Sequence, residues 1–315
     1  MSSKSKRYKS IDKRVITEGE AIDFQLYFPN NEKTAMSLFL QSDTVVDGDT
    51  KVRLREVERL YIDEQESLQY EAYVQKHIQT IARAEDISID DKAIIVYEKA
   101  SSVLDEMFRN PESLEVAKNV KPVVDSFVSI ILHDPKAVES LLKITAHDYY
   151  THTHSINVSI YTLSLGAFLG MKGDDLKALG MAAVLHDIGK SKVDYDIINK
   201  NGTLTEIEFE EMKTHPAQGH KIALNLGITD ERILSGIRHH HEKLVGNGYP
   251  DGISGEAISK FARLIGVCDV FDALTTKRSY KDPMSTFDSI KLMKEAMKGH
   301  LDFDMVNALI RMLHR

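Results

Sequence analysis

The sequence predicts a mainly α protein, an all-helical bundle preceded by a small α+β module. Three observations lead there. From Ser88 to the C-terminus, apolar residues recur at helical spacing between Pro and Asn/Asp breaks. Between Phe24 and Asp63 the apolar runs are short and β-like, with a turn at Gly48. The longest apolar cluster, Phe127 to Leu132, is far shorter than the roughly 20 residues that span a bilayer as a helix, so membrane insertion is not expected.

Met1 to Ser10 is rich in Lys and Ser and leads into no apolar stretch of signal-peptide length, so it reads as a solvated tail. Strands are expected at Phe24–Phe28, Ser37–Val46 and, past Gly48, Lys51–Ile62. Leu68, Ala72, Val74, Ile78 and Ile81 then mark a helix from Glu66 to Ala84. These elements form a regulatory module over residues 1–87, with the linker at 85–88. Residues 88–145 read as connecting helices. Asp90 or Asp91 suits the N-cap of a helix through Phe108, and Asn110-Pro111 stops it. Ser113 to His133 follows with Pro122 inside it, then 135–144 after the break at Asp134-Pro135. Residues 146–315 form the last part, with helices expected at 148–169, 174–186, 206–226, 229–241, 259–274, 286–298 and from Asp302.

Forty Lys plus Arg against 48 Asp plus Glu give a net charge of −8. Coating a nucleic-acid polymer requires a basic face that neutralises many phosphates, so that class of partner is excluded. Cys268 is the one cysteine, which rules out an internal disulfide framework and fits a reducing, cytoplasmic compartment. Histidine is unevenly placed: 11 of the 13 follow residue 145. The two halves are expected to do different work.

Leu185-His186-Asp187-Ile188-Gly189-Lys190 closes an apolar helix. An adjacent His-Asp pair supplies a neutral nitrogen and a carboxylate able to bridge two cations, although a capping His and a solvated Asp would look the same. His154, His215, the run His239-His240-His241-Glu242, and Asp269 offer the same donor types from separate segments. Adjacent helical residues point about 100° apart, so three consecutive histidines cannot all be buried by packing without stranding ring nitrogens. A metal would satisfy them; an exposed helix end would also serve, above all for His239. Gly246-Asn247-Gly248-Tyr249-Pro250-Asp251-Gly252 is a tight loop that places a tyrosine just after these histidines. Cys268 reads as a buried core residue.

In order, His154, His186-Asp187-Ile188-Gly189-Lys190, His215-Pro216, His240-His241-Glu242, Gly248-Tyr249-Pro250, Asp269 and Arg278-Ser279-Tyr280-Lys281 resemble the HD-GYP family. This is a bacterial branch of the HD-domain metal hydrolases, and the resemblance covers roughly residues 146–283. It implies an HD-type helical bundle and a bacterial signalling enzyme that hydrolyses cyclic di-GMP to pGpG and on to GMP. Attack is by a hydroxide bridging two divalent metals, iron or manganese, with nickel and zinc as further candidates. The resemblance assigns His154, His186 and Asp269 to one metal, His215, His240 and His241 to the other, and Asp187 to the bridge. Lys190, Arg278 and Lys281 match phosphate-contacting positions, and Tyr249 matches the tyrosine of the name motif. Asp187, Lys190 and Tyr249 are thereby the expected catalytic residues.

Three positions depart from the pattern. Tyr150 stands where three-metal members carry a Glu, which implies two metals unless His147 or Asp148 substitutes. Val245 replaces the usual Asp and Ser279 the usual Pro. They motivate a second reading, a cyclic di-GMP receptor of weak or absent activity that signals through protein contacts. A third, a phosphohydrolase of another nucleotide, fits poorly with Gly248-Tyr249-Pro250 and the Arg278 segment. The apolar stripes of the helices in 88–145 read by default as core packing, with coupling of the modules or a homodimer face as the alternatives. Arg59 to Asp63 and the helix carrying Tyr70 and Tyr73 loosely resemble modules that precede some HD-GYP domains, without a recognisable phosphoacceptor or cofactor motif.

Overall fold

The computed structural model describes residues 7–30, 35–134, 136–145, 151–276 and 282–314, apart from the side chains of 151 and 152. The chain divides into two compact units, Met1–Ser88 and Ile89–Arg315.

The first unit contains β1 (Tyr8–Ile11), β2 (Ala21–Ile22), β3 (Leu26–Pro29), β4 (Met36–Leu40), β5 (Thr44–Val45), α1 (Gly48–Glu56), β6 (Leu60–Asp63) and α2 (Ser67–Arg83). Four strands pair antiparallel in the order β1-β6-β3-β4, and β2 pairs with β5. The last part of the expected solvated tail is therefore a strand. Tyr8 pairs with Asp63 and sets its ring edge-on to Tyr27 at 5.0 Å, which gives β6 a partner on its open side. The expected strand at Lys51–Ile62 divides into α1 and β6. Asp47 caps α1 by accepting from the Thr50 amide at 2.8 Å, and Thr50 and Leu54, four residues apart, are its buried positions. Val52 is exposed. Phe24 is wholly buried, with Tyr70 and Tyr73 of α2 edge-on at 5.7 and 5.6 Å.

Among its described residues the second unit has helices and no strands. It runs α3 (Ile89–Arg109), α4 (Leu114–His133), α5 (Ala137–Ile144), α6 (Thr151–Phe168), α7 (Gly173–Leu185), α8 (Tyr195–Ile198), α9 (Glu206–Met212), α10 (His215–Asn225), α11 (Glu231–His239), α12 (Lys260–Thr275), α13 (Thr286–Glu295) and α14 (Phe303–Leu313). Helix α4 continues through Pro122, whose carbonyl accepts from Ser126 Oγ at 2.8 Å. Helix α6 lies at the centre and is buried along most of its length, as are α7 and α12. Its polar Asn157 accepts from Tyr97 Oη at 3.0 Å and donates to the Thr145 carbonyl at 3.2 Å, so burial costs it no partner. The helix expected at 206–226 is two helices. A capping box between Thr205 and Glu208 starts α9, and Pro216, which has no amide hydrogen, starts α10 afresh at His215. Asp230 caps α11, which ends at His239 and leaves His240 and His241 just beyond it. No helix among the described residues is long and apolar enough to cross a membrane.

Candidate metal centre

The helix ends meet at one place. His154 comes from the first turns of α6, His186 and Asp187 from the end of α7, His215 from the start of α10, His240 and His241 from beyond α11, and Asp269 from the middle of α12. All but the half-buried His241 are buried. Their ligand atoms form two groups, each within 4.8 Å: Asp187, His215, His240 and His241, and His154, His186 and Asp269. Asp187 stands between the groups. Its Oδ1 lies 3.2 Å from His215 Nε2 and 3.9 Å from His240 Nε2, whereas Oδ2 lies 3.4 Å from His186 Nε2 and 3.6 Å from His154 Nε2.

The tautomers follow from the outer partners. His186 Nδ1 donates to the Ala183 carbonyl at 2.7 Å, His215 Nδ1 to Met212 at 2.7 Å and His240 Nδ1 to Ile237 at 2.8 Å. A carbonyl only accepts, so each Nδ1 carries the hydrogen and each Nε2 turns a lone pair inward. His154 Nδ1 donates instead to Asp272 Oδ2 at 2.7 Å, and Asp272 Oδ1 also accepts from Thr276 at 2.8 Å. Asp272 is fully buried and escaped the sequence reading. Its signal was there: a second carboxylate three residues past Asp269, in a stretch from Leu264 to Leu274 with no other charged residue.

This donor set fits divalent cations. His186 Nε2 and Asp187 Oδ1 are buried without a hydrogen-bond partner, a condition that costs about 1–3 kcal/mol per group. His215 Nε2 and His240 Nε2 face each other at 3.3 Å, two lone pairs that only a shared cation reconciles. A proton does not serve. Burial, reinforced by His241 and His186, holds the His240 imidazole well below its ordinary value, and burial takes His241 down to about 3. For Asp187, burial pushes the carboxyl up, but the adjacent Lys190 ammonium outweighs it and holds the group well below the usual carboxylate range. Asp269 Oδ1 lies 3.0 Å from His154 Nε2, a second carboxylate oxygen set against an inward-facing lone pair. Nitrogen and carboxylate donors of this kind suit divalent transition metals.

Two glycines let the segments close up. A Cβ on Gly189 would stand 1.9 Å from the His215 carbonyl oxygen, so the turn after Asp187 can rest on the start of α10 only as glycine. A Cβ on Gly248 would stand 2.5 Å from Glu242 Cα, which brings the Tyr249 loop against the histidine run. Tyr249 then lies over His241 with ring centroids 4.8 Å apart and planes tilted by 31°. Burial raises its phenol well above the ordinary value, so the hydroxyl stays protonated and can donate. The loop is pinned from α11. Asp251 takes Arg238 at 2.7 and 2.8 Å and His239 Nε2 at 2.9 Å, while Glu242 Oε1 accepts from the amides of Asp251 and Gly252. His239, the one histidine of the run outside both groups, thus holds the loop.

Lys190 Nζ lies 2.5 Å from Asp187 Oδ2, at the rim of the cluster and partly exposed. Arg278 and Lys281 lie outside the described residues, as do Tyr150, His147, Asp148 and Ser279. Val245 is exposed. Cys268 is buried in α12, and burial pushes its thiol up to about 12, which leaves it a protonated core residue.

The profile of the HD domain family matches residues 136–305. The chain belongs to that family. A cyclic di-GMP phosphodiesterase of Pseudomonas aeruginosa is 33% identical over 222 residues, 70% of this chain and 53% of its own length. A 3'3'-cGAMP-specific phosphodiesterase of Vibrio cholerae is 34% identical over 171 residues, 54% of this chain and 37% of its own length. The chain therefore spans about half the length, or less, of these curated relatives. A solved HDG"Y"P protein from Bdellovibrio bacteriovorus shares the fold at a TM-score of 0.69, covering 98% of this chain and 100% of that one at 22% identity. The helical HD bundle preceded by a small α+β module is thus an architecture shared with a solved HD protein.

Proposed function

We propose that the chain is a metal-dependent phosphodiesterase that hydrolyses cyclic di-GMP to pGpG and onward to GMP, in the cytoplasm. The observation that carries the reading is Asp187, one carboxylate oxygen turned to each of two groups of buried nitrogen and carboxylate donors. His154, His186 and Asp269 would hold one divalent cation and His215, His240 and His241 another, with Asp187 shared. Iron or manganese suits this set, and nickel or zinc would also be accepted. Bound there, a pair of such ions supplies Lewis-acid stabilisation of phosphoryl oxygens and lowers the pKa of water toward neutrality.

The protein supplies the remaining functions. The Nδ1 hydrogen bonds to Ala183, Met212, Ile237 and Asp272 fix four imidazoles with their lone pairs inward, so no reorganisation is needed on binding. Lys190 at the rim offsets charge on a non-bridging phosphate oxygen, and the protonated Tyr249 donates to the same group. Arg278 and Lys281, from the family resemblance, would add to this anion site.

The names of the relatives favour one further substrate, 3'3'-cGAMP, which has the same cyclic diester backbone with one adenine. The test is a product time course with anaerobically purified, manganese- or iron-loaded protein on both dinucleotides. Linear product from cyclic di-GMP supports the reading. Calorimetric binding without product over hours would replace it with a receptor.

A further inference from the structure

Phe209 is an exposed aromatic residue at the edge of the metal centre, and nothing in the donor geometry requires it. Helix α9 carries a run of glutamates, most of them engaged elsewhere. Glu208 binds Lys200 and the Thr205 amide, Glu211 accepts from the Asp194 amide, and Glu210 pairs with Lys213. Phe209, between them, is 48% exposed. An isolated surface phenylalanine is ordinary; this one continues a series of rings. Its centroid lies 6.4 Å from that of Tyr249 at an interplanar angle of 83°, and Tyr249 lies 4.8 Å over His241. Lys213 Nζ stands 5.3 Å from the Phe209 centroid. The two aromatic planes make a nearly right-angled corner beside the donor groups, with Lys213 over the Phe209 ring.

A cyclic dinucleotide carries its bases outside the sugar-phosphate ring. With one phosphodiester at the donor groups, a base a few ångströms away needs a flat apolar surface. We propose that Phe209 is a specificity-determining residue whose ring stacks a purine base of the substrate, with Tyr249 closing the corner. The inference rests on the cyclic-dinucleotide reading above and adds to it a requirement for a large π-face, so purine cyclic dinucleotides are bound more tightly than cyclic di-UMP.

The experiment compares KM and kcat for cyclic di-GMP across four manganese-loaded full-length variants, with the dissociation constant of the product pGpG measured by calorimetry. Base stacking on an aromatic side chain predicts that Phe209→Ala raises KM roughly tenfold or more, with the larger change in KM rather than kcat, and weakens pGpG in parallel. Phe209→Trp restores both constants to within about threefold of the original protein, whereas Phe209→Leu, apolar and of similar bulk, does not. Ile207→Ala, on the same helix and 84% exposed, serves as the fold control and keeps the original KM. Original values in Phe209→Ala, or equal performance by Phe209→Leu, overturn the stacking role while the phosphodiesterase reading stands. If the unaltered protein neither binds nor cleaves either dinucleotide, that reading fails and the stacking role falls with it.

Discussion

The two units bury histidine on opposite terms. In Met1–Ser88, His77 is buried alone: its ring lies 4.5 Å from Tyr73, its Nε2 has no hydrogen-bond partner, and the nearest carboxylate oxygen, on Glu20, is 3.7 Å away. In Ile89–Arg315, five histidines and two aspartates converge from five separate segments, and four of the imidazoles have their Nδ1 atoms tied to acceptors behind them. A lone buried imidazole is stable as a neutral, half-satisfied core residue. Several lone pairs aimed at one another within 4 Å are not, unless a cation joins them. Convergence, not burial, distinguishes a metal centre from a packed histidine.

The sharpest way to break the contrast is to remove the shared group. Asp187→Ala takes away the one carboxylate that faces both donor groups, and bound metal and hydrolysis should both fall by more than about a hundredfold, beyond the usual cost of losing an outer partner. Metal analysis and product chromatography on the same preparation check this.

Chelation is the next test. Withdrawing metal re-exposes the lone-pair conflict at His215 and His240, so Ile89–Arg315 should lose about 3 kcal/mol or more, the amount conferred by a ligand at a few hundred times its Kd. The Met1–Ser88 unit should be indifferent. Hydrogen exchange followed by mass spectrometry, with and without chelator, reads the two units separately.

Asp272→Asn tests the tie behind His154. The change keeps the shape and loses the charge that orients and sharpens the imidazole, so metal affinity should fall by about 10- to 100-fold with the fold intact. A metal titration against a competing chelator measures it.

The smallest effect concerns His77. Burial lowers its pKa, opposed by Glu20, so the unfolded state takes up the proton first. Its contribution is present in full above the unfolded value of about 6.5 and is lost as pH falls through it toward the depressed folded value. Exchange protection of α2 should decline between about pH 7.5 and 5, and His77→Phe should flatten that decline.

Much of this was legible in the sequence, for physical reasons. Helical periodicity announced α2 through α7 because those helices bury one or more faces, and the order of His, Asp and Gly-Tyr-Pro motifs picked out the residues that the fold brings together. The failures have local causes. Lys51–Arg55 alternates charged and apolar residues, but the Asp47 cap and the four-residue step from Thr50 to Leu54 make it helical. Pro216 falls inside the helix expected at 206–226, whereas it starts a new one and so puts His215 at an end where its ring can turn inward. Asp272 showed only as a second carboxylate near Asp269, and the hold of Asp251 on Arg238 and His239 left no mark, because their value lies in contacts between separate segments, 118 residues apart for Asp272 and His154.

The most direct test is the number of metal ions held per chain. Plasma mass spectrometry of anaerobically purified protein, loaded with manganese or iron and desalted, should find about two per chain, as a two-metal centre requires. One ion or fewer per chain, or the same number in Asp187→Ala, would contradict the account.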